Sequence, residues 1–157
     1  MSCLCKHEEV KHADNAVDNY LPFPRGTLCA DTDEKGDVMH ALIIDDDEPS
    51  CQLLEKVLQQ SGLTADWTTN SRTGLAWSIA RPYDLFLLDV HMPDLLGTDI
   101  AAAIKAHDPA AKVILISAFP DATSQRLANA LEVPLLCKPF SPNALLALLS
   151  QMLLPGW

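Results

Sequence analysis

The chain has 157 residues, of which 48% are apolar, and a formal net charge of −10. This length and apolar content suffice for one hydrophobic core, so we expect one domain with an additional tail. The negative charge and the lack of clustered Lys and Arg argue against direct nucleic-acid binding and against binding to anionic membranes. No apolar run approaches the roughly 20 residues of a transmembrane helix, and the first residues lack a signal peptide's apolar stretch. We therefore expect a cytoplasmic protein.

Residues 1–38 are polar and acidic, with few apolar residues at regular spacing, which predicts a disordered N-terminal arm before a domain at 39–157. The five cysteines are an odd number in a chain with no export signal, which favours free thiols. Within the arm, Cys3, Cys5 and His7, with His12 nearby, could hold a metal ion. They lack the paired Cys-x-x-Cys spacing of zinc sites, so metal binding there is the less favoured interpretation.

From residue 39 onward, short apolar runs alternate with segments of helical periodicity. The predicted strands are 40–45 (HALIID), 63–68 (LTADWT), 83–89 (YDLFLLD), 112–117 (KVILIS) and 133–137 (VPLLC). The predicted helices run from Pro49 to Ser61, from Asn70 or Ser71 to Ile79, from Gly97 to Ala106, from Pro120 to Ala130, and onward from Ser141. Strands that alternate with helices predict an α/β fold, with a doubly wound parallel sheet covered on both faces.

The residues that close these strands carry most of the reactive side chains. In doubly wound sheets the site lies outside the carboxyl ends of the strands. Those ends carry Asp45, Asp46 and Asp47, then Asp89, then Ser117, and finally Lys138. Any single Asp there could simply cap the next helix. Several acids at one edge would repel each other unless a cation binds, and carboxylate oxygens suit Mg²⁺.

Four motifs in this order give the domain a resemblance to a known family. They are LIIDDDEP at 42–49, LLDVHMPDLLG at 87–97, ILISA at 114–118 and CKPF at 137–140. Over about 39–154 the chain resembles the receiver domains of two-component response regulators, the CheY-like superfamily. The resemblance implies a flavodoxin-like fold with five strands in the order 2-1-3-4-5. It also implies a phosphorylation-dependent signalling switch that is not an enzyme, beyond assisting its own phosphorylation and dephosphorylation.

The resemblance also implies a role for each site residue. It implies Asp89 as phosphoacceptor, Asp45, Asp46 and the backbone carbonyl of His91 as further Mg²⁺ ligands, Ser117 as a donor to the phosphoryl oxygens, and Lys138 as their ammonium partner, beside a cis Lys138–Pro139 bond. The physical argument agrees, because a carboxylate attacks phosphorus only when the charge on the phosphoryl oxygens is neutralised. Asp89 is then a nucleophile, with Mg²⁺, Ser117 and Lys138 around the transferred group.

Two departures from the family pattern concern the site. Position 135 is Leu, where the family commonly has an aromatic residue that rotates on phosphorylation, so that route of transmission is in doubt. His91 and Phe119 occupy positions that border the path of the hydrolytic water in the family. We hypothesise that Phe119 impedes that water and prolongs the phosphorylated state.

A third departure is the last helix, which has no charged residue between Ser141 and Trp157. Its core face is Leu145, Leu148, Leu149 and Met152. Leu146, Leu154 and Trp157 are left over and indicate a hydrophobic partner surface or a homodimer through this helix. The alternative is that the arm or a C-terminal turn covers them.

Two other functions remain open from the sequence. A haloacid-dehalogenase-type phosphatase would use Asp45-x-Asp47, Ser117 and Lys138, but it leaves Asp89 unexplained and lacks a downstream acidic metal ligand. A receiver-fold binding module would signal without phosphorylation. Under the favoured interpretation, the partners are a histidine kinase or histidine phosphotransfer protein and an unknown downstream protein. Only Pro155-Gly156-Trp157 follow the last predicted helix, so we expect output through a protein contact.

Overall fold

The computed structural model of the chain describes residues 38–153. The predicted arm up to residue 37, with its cysteine and histidine cluster, lies outside the described residues, as do Leu154 and Trp157. The strands are β1 (His40–Ile44), β2 (Thr64–Thr68), β3 (Leu85–Asp89), β4 (Lys112–Ser117) and β5 (Leu135–Cys137). The helices are α1 (Glu48–Gln60), α2 (Ser71–Ala80), α3 (Gly97–His107), α4 (Ala122–Ala130) and α5 (Pro142–Leu153).

All five strands pair in parallel in one sheet, in the order β2-β1-β3-β4-β5. This confirms the predicted α/β fold and its strand order. The three central strands are almost wholly buried, as expected for consecutive apolar residues in a sheet with helices on both faces. The edge strand β5 is two residues shorter than predicted. It begins after Pro134, which has no N–H to donate to a neighbouring strand.

The alternation of side chains along the central strands divides the core into two clusters. Ile44 and Leu88 lie on the face that packs against α2, α3 and α4. Ile43 and Leu87 lie on the opposite face, which packs against α1 and α5. Helices therefore cover both sides of the sheet and leave its carboxyl edge, where the strands end, for the functional groups.

Three helices on different sides of the sheet begin at a side chain that caps their first turn. Asp47 accepts from the backbone N–H of Ser50, and Asn70 accepts from that of Thr73. Asp121 accepts from the backbone N–H of Ser124 at the start of α4. Each cap satisfies a donor that has no partner within its helix, which fixes the first residue of the helix.

The last helix packs more of its apolar residues than the sequence predicts. Leu145 and Leu149 are buried, and Leu148 and Met152 pack partly against the same cluster, as expected. Leu146, which the sequence analysis left outside the core face, is half-buried and packs partly against this cluster, and its role in a partner surface stays a prediction. The cause is that α5 lies over the sheet with a wider apolar face than one stripe. None of the helices within residues 38–153 combines the length and apolar character needed to cross a bilayer.

Candidate functional site

Three carboxylates meet at the carboxyl edge of the sheet. Asp45 and Asp46 directly follow β1, and Asp89 is the last residue of β3. Because β1 and β3 are adjacent and parallel, their ends lie side by side. One oxygen from each of the three side chains lies within 4.8 Å of the others. Asp45 and Asp89 are buried, whereas Asp46 is exposed, so the cluster opens to solvent on one side.

Lys138 brings a positive charge to these acids. It follows β5, and its backbone N–H donates to the carbonyl of Ser117 at 2.8 Å. Its Nζ lies 2.7 Å from Asp45 Oδ2 and 4.0 Å from Asp89 Oδ1. The Lys138–Pro139 bond is cis, at the position that the resemblance implies. Lys138 is therefore a member of the site and not a solvated surface lysine.

The crowding of acids perturbs the ionisation of Asp89. Burial and the neighbouring negative charge of Asp45 raise the pKa of Asp89 to about 6, against the attraction of Lys138. Burial alone would lower the pKa of Lys138, but its hydrogen bond and charge interaction with Asp45 outweigh burial and raise it. The carboxylate of Asp89 therefore stands in a site that favours a counter-charge, beside a lysine whose pKa is raised.

Ser117 closes β4 and is fully buried. Its Oγ accepts from the backbone N–H of Phe119 at 3.1 Å and lies 3.3 Å from Nδ1 of His91. The β3–β4 register pairs Asp89 with Ile116, the residue before Ser117. The hydroxyl therefore belongs to the strand next to Asp89, at the same edge of the sheet.

Asp45 is held in place by its own loop and by α1. Its Oδ1 accepts from the backbone N–H of Asp47 at 2.9 Å, and its carbonyl accepts from the thiol of Cys51 at 3.3 Å. Burial and the nearby Asp45 raise the pKa of Cys51 to about 12, so this thiol is unreactive. Asp47 itself caps α1 through both the N–H and the hydroxyl of Ser50. The phosphatase alternative needs both Asp45 and Asp47 in one site. Here Asp45 belongs to the acidic cluster, whereas Asp47 caps α1.

Gly97 allows α3 to begin directly against Asp89. Its N–H donates to the carbonyl of Val90 at 2.9 Å. A Cβ at position 97 would collide with the backbone carbonyl oxygen of Asp89. The glycine that ends the LLDVHMPDLLG motif thus fixes the distance between Asp89 and the helix that follows it.

The donor set suits a hard divalent cation. Carboxylate oxygens are the ligands that Mg²⁺ prefers, and one ammonium against three carboxylates leaves the cluster net negative. Burial and the charge of Asp45 raise the pKa of Asp89, and a further positive charge beside these carboxylates would offset their repulsion. Asp45, Asp46 and Asp89 could hold such an ion, and the role of the His91 carbonyl as a ligand stays a prediction.

The three positions named among the departures from the family pattern, 91, 119 and 135, have different surroundings. Leu135 is half-buried and packs against the cluster that contains Ala128 and Val133. Phe119 is 82% exposed, so most of its ring faces solvent, and its effect on the hydrolytic water stays a prediction. The sequence did not reveal that the side chain of His91 reaches Ser117. That contact depends on the β3–β4 register, and the only signal for it was the position of His91 two residues after Asp89.

Comparison with known proteins agrees with this geometry. The sequence pattern of the family described as "Response regulator receiver domain" matches residues 41–150. The chain belongs to this family, whose receiver domains are phosphorylation-dependent switches of two-component systems and not enzymes of the ordinary kind. Receiver domains typically bind Mg²⁺ at an acidic pocket, and histidine kinases or phosphotransfer proteins are their partners.

Among curated proteins, the chain is 31% identical over 121 residues to the probable transcriptional regulatory protein SilR of Salmonella typhimurium, covering 75% of this chain and 52% of SilR. It is 33% identical over 112 residues to the uncharacterized transcriptional regulatory protein YbdJ of Bacillus subtilis, covering 71% of this chain and 49% of YbdJ. The chain therefore spans about half the length of these relatives.

Among solved structures, the response regulator TrrA of Thermotoga maritima, in complex with Mg²⁺ and BeF, matches with a TM-score of 0.68 and 27% identity. The match covers 73% of this chain and 99% of that one. A CheY-like receiver domain from Methanospirillum hungatei gives a TM-score of 0.71 at 22% identity, covering 74% and 94%, and supports the fold alone.

Proposed function

We propose that Asp89 accepts a phosphoryl group from a histidine kinase or a histidine phosphotransfer protein, and that the chain signals through a protein contact. The observation that carries this proposal is the convergence of Asp45, Asp46 and Asp89 around Lys138 at the end of the central strands. This arrangement favours the phosphorylated switch over a binding module that never uses its acids.

In the proposed reaction, a carboxylate oxygen of Asp89 attacks phosphorus. The phosphorus–nitrogen bond of the donor's phosphohistidine breaks, and its electron pair stays on the imidazole. A bound Mg²⁺ would neutralise phosphoryl oxygens. Lys138 already stands 4.0 Å from Asp89 Oδ1, and its ammonium would pair with the same group. Ser117 would donate its hydroxyl to another phosphoryl oxygen.

Asp89 is the carboxylate best placed to act as the nucleophile. The Nζ of Lys138 contacts Asp45 directly, and Asp45 also accepts from the backbone N–H of Asp47. Asp45 therefore already has two donors. The ammonium of Lys138 lies farther from Asp89, at 4.0 Å from its Oδ1. We assign Asp45 and Asp46 to cation binding. Beyond its own phosphorylation and dephosphorylation, we assign the chain no enzymatic reaction.

The remaining assignments follow from the family. The downstream partner is a protein whose identity the site does not define, and a homodimer through α5 remains a prediction, as does the cytoplasmic location. The arm at 1–38 and the receiver boundary at 39 are also predictions. Because the chain spans about half of its relatives, we extend the proposal only to the receiver domain.

Intact-mass measurement after incubation with Mg²⁺ and acetyl phosphate tests the proposal. We expect the wild-type chain to gain the mass of one phosphoryl group, with a much smaller gain in EDTA. Asp89→Asn should show no gain, while Asp99→Asn, which removes an exposed acid on α3, should behave as wild type. A wild-type chain that gains nothing, or an Asp89→Asn variant that gains as much, would contradict the proposal.

A further inference from the structure

The loop that follows Asp89, residues 90–96, is fixed at its ends by backbone hydrogen bonds. Val90 donates its N–H to the carbonyl of Ile116 at 2.8 Å, and Gly97 donates to the carbonyl of Val90 at 2.9 Å. Among the backbone hydrogen bonds of residues 38–153, none joins positions 91–95 to a strand or to another helix. The middle of the loop therefore depends on side chains for its position.

A strained turn stands in the middle of this loop. The N–H of Leu95 donates to the carbonyl of Pro93 at 2.9 Å, and Asp94 between them has a φ of 69°. A three-residue turn with a positive central φ is rare for L-residues, because their backbone is strained there. Such strain persists only where the surrounding structure holds the backbone in place. The turn therefore needs support from outside the loop.

The first residue of α2 supplies this support. Ser71 is 4% exposed, and its hydroxyl donates to the carbonyl of Pro93 at 2.9 Å. That carbonyl has two lone pairs, so it accepts from Ser71 and from the N–H of Leu95 together. Arg72 lies 3.7 Å from Asp94, but both side chains are largely exposed and their ion pair contributes little. The buried hydroxyl is therefore the main polar link between α2 and the loop.

The same end of α2 is connected to the segment that carries Asp45. Asn70, which caps α2, donates its N–H to the hydroxyl of Thr68 at 3.2 Å. The carbonyl of Thr68 accepts from the N–H of Asp45 at 3.4 Å. The start of α2 thus joins both segments whose carboxylates form the acidic cluster. An ion in that cluster must contact oxygens from both segments at once, so their relative position affects its affinity.

We propose that Ser71 is a positioning residue, whose hydroxyl holds the loop at 90–96 in the shape in which Asp89 and Asp45 can bind one Mg²⁺ ion together. The inference rests on the proposed function, because it concerns the cation that the proposed phosphorylation needs. Without this hydroxyl, the strained turn keeps only its internal hydrogen bond, and the loop should populate other shapes. The apparent affinity for Mg²⁺ then falls with the fraction of chains in the competent shape.

The first test compares Mg²⁺ binding by the full-length wild-type chain, Ser71→Ala and Ser78→Ala, followed by the amide NMR signals of Asp46 and Val90. Ser78→Ala is the matched control, because Ser78 is 6% exposed and its hydroxyl donates to the carbonyl of Leu75 within α2 at 2.7 Å. We expect the Mg²⁺ dissociation constant to rise about threefold to tenfold in Ser71→Ala, the range for one hydrogen bond. In Ser78→Ala it should stay near the wild-type value.

The second test needs no metal ion. In EDTA, the amide hydrogen of Leu95 should exchange with solvent about threefold to tenfold faster in Ser71→Ala, relative to the amide of Leu87 in the central strand. Ser78→Ala should leave this ratio unchanged. An unchanged ratio in Ser71→Ala would show that the hydroxyl does not hold the turn, and would overturn the inference.

The third test is the Mg²⁺ dependence of phosphorylation by acetyl phosphate. Ser71→Ala should need more Mg²⁺ for half of the maximal rate, while its rate at saturating Mg²⁺ stays near wild type. This split separates an effect on cation binding from an effect on phosphoryl transfer itself.

The outcomes distinguish the inference from the function on which it rests. Wild-type Mg²⁺ affinity in Ser71→Ala, or an equal loss of affinity in Ser78→Ala, would overturn the inference and leave the proposed function intact. A lower rate at saturating Mg²⁺ with unchanged half-saturation would overturn it as well. If the wild-type chain binds no Mg²⁺ or gains no phosphoryl group, the proposed function fails, and the inference fails with it.

Discussion

When no metal ion is bound, the ionised form of Asp89 lowers the free energy of unfolding. Its carboxyl is buried beside Asp45, and together these raise its pKa to about 6. An acid whose folded-state pKa lies above its ordinary value of about 4 keeps its proton longer in the folded chain than in the unfolded one. The unfolded chain therefore loses its proton first as pH rises, and the free energy of unfolding falls between about pH 4 and pH 6. The same negative charge is what attracts a cation.

We predict that Asp89→Asn stabilises the chain in EDTA at pH 8. The variant lacks the unfavourable charge, and a shift of about two pKa units corresponds to an increase of about 1–3 kcal/mol in the free energy of unfolding. At pH 3 the two proteins should differ little, because Asp89 is then mostly protonated in both states. Urea unfolding at the two pH values measures the difference.

The matched control for this prediction is Asp99→Asn. Asp99 is an exposed acid in the first turn of α3, where a negative charge is mildly favourable. Its substitution should leave stability unchanged or lower it by about 0.5 kcal/mol. An Asp89→Asn variant that is no more stable than wild type at pH 8 would show that Lys138 already offsets the charge of Asp89.

At the scale of elements, the junction of β3 and α3 positions Asp89, the proposed acceptor. The helix begins at Gly97, whose Cα approaches the carbonyl oxygen of Asp89 too closely for a Cβ. The N–H of Gly97 also bonds the carbonyl of Val90. The helix and the acceptor strand are therefore joined through backbone atoms, which cannot move aside as a side chain can.

We predict that Gly97→Ala lowers the free energy of unfolding by about 1–3 kcal/mol and sharply reduces phosphorylation of Asp89. Gly74→Ala is the control, because a Cβ there would meet the side chain of Ile44 and not backbone. It should also destabilise the chain but leave phosphorylation near wild type when the protein is folded. Equal loss of phosphorylation in both variants would mean that stability alone is responsible.

A second group of polar side chains surrounds Asp66, in the edge strand β2. Asp66 of β2 accepts from the hydroxyl of Tyr83 at 2.9 Å and lies 3.5 Å from Nε2 of His40. Arg81 lies 3.6 Å from the same carboxylate and stacks on Trp77. Burial raises the pKa of Asp66, but the hydrogen bonds with His40 and Tyr83 outweigh burial and lower it below its usual value.

We predict that Tyr83→Phe lowers the free energy of unfolding by about 1 kcal/mol at pH 7, the usual worth of a hydrogen bond to a partly buried group. A lowered pKa contributes stability above the unfolded-state value of about 4 and loses it as pH falls through the folded-state value. The difference between the two proteins should therefore shrink below about pH 4. Urea unfolding at pH 7 and pH 3 measures it.

Ser150→Ala serves as the control for Tyr83→Phe. It removes an exposed hydroxyl that donates to the carbonyl of Leu146, far in sequence from any acid of this group. Its effect should be small and independent of pH. A Tyr83→Phe effect that persists in an Asp66→Asn background would show that the phenol acts through packing and not through Asp66.

The sequence predicted the elements well because the central strands have continuous apolar runs and the helices have recognisable caps. It placed Asp45, Asp89 and Ser117 at one edge of the sheet, since parallel strands end together. It missed what depends on packing between elements. Leu146 packs against the core because of how α5 lies on the sheet, and the contact of His91 with Ser117 depends on the register of two strands.

At the scale of the whole molecule, the residues that stabilise the described domain and the residues of the proposed switch lie in different places. The two apolar clusters on the faces of the sheet hold the strands, while the charged groups of the switch occupy the carboxyl edge. Rearrangement of a few hydrogen bonds at that edge can therefore occur without repacking the core. All five helices begin at that edge, because each of them follows the carboxyl end of a strand.

The position of the phosphoryl group on the chain tests the central claim most directly. The wild-type protein is incubated with Mg²⁺ and acetyl phosphate, reduced with borohydride to convert acyl phosphate to homoserine, and digested for tandem mass spectrometry. The account predicts homoserine at Asp89 alone. Homoserine at Asp45 or Asp46, or a phosphate retained on Ser117 with Asp89 unmodified, would contradict it.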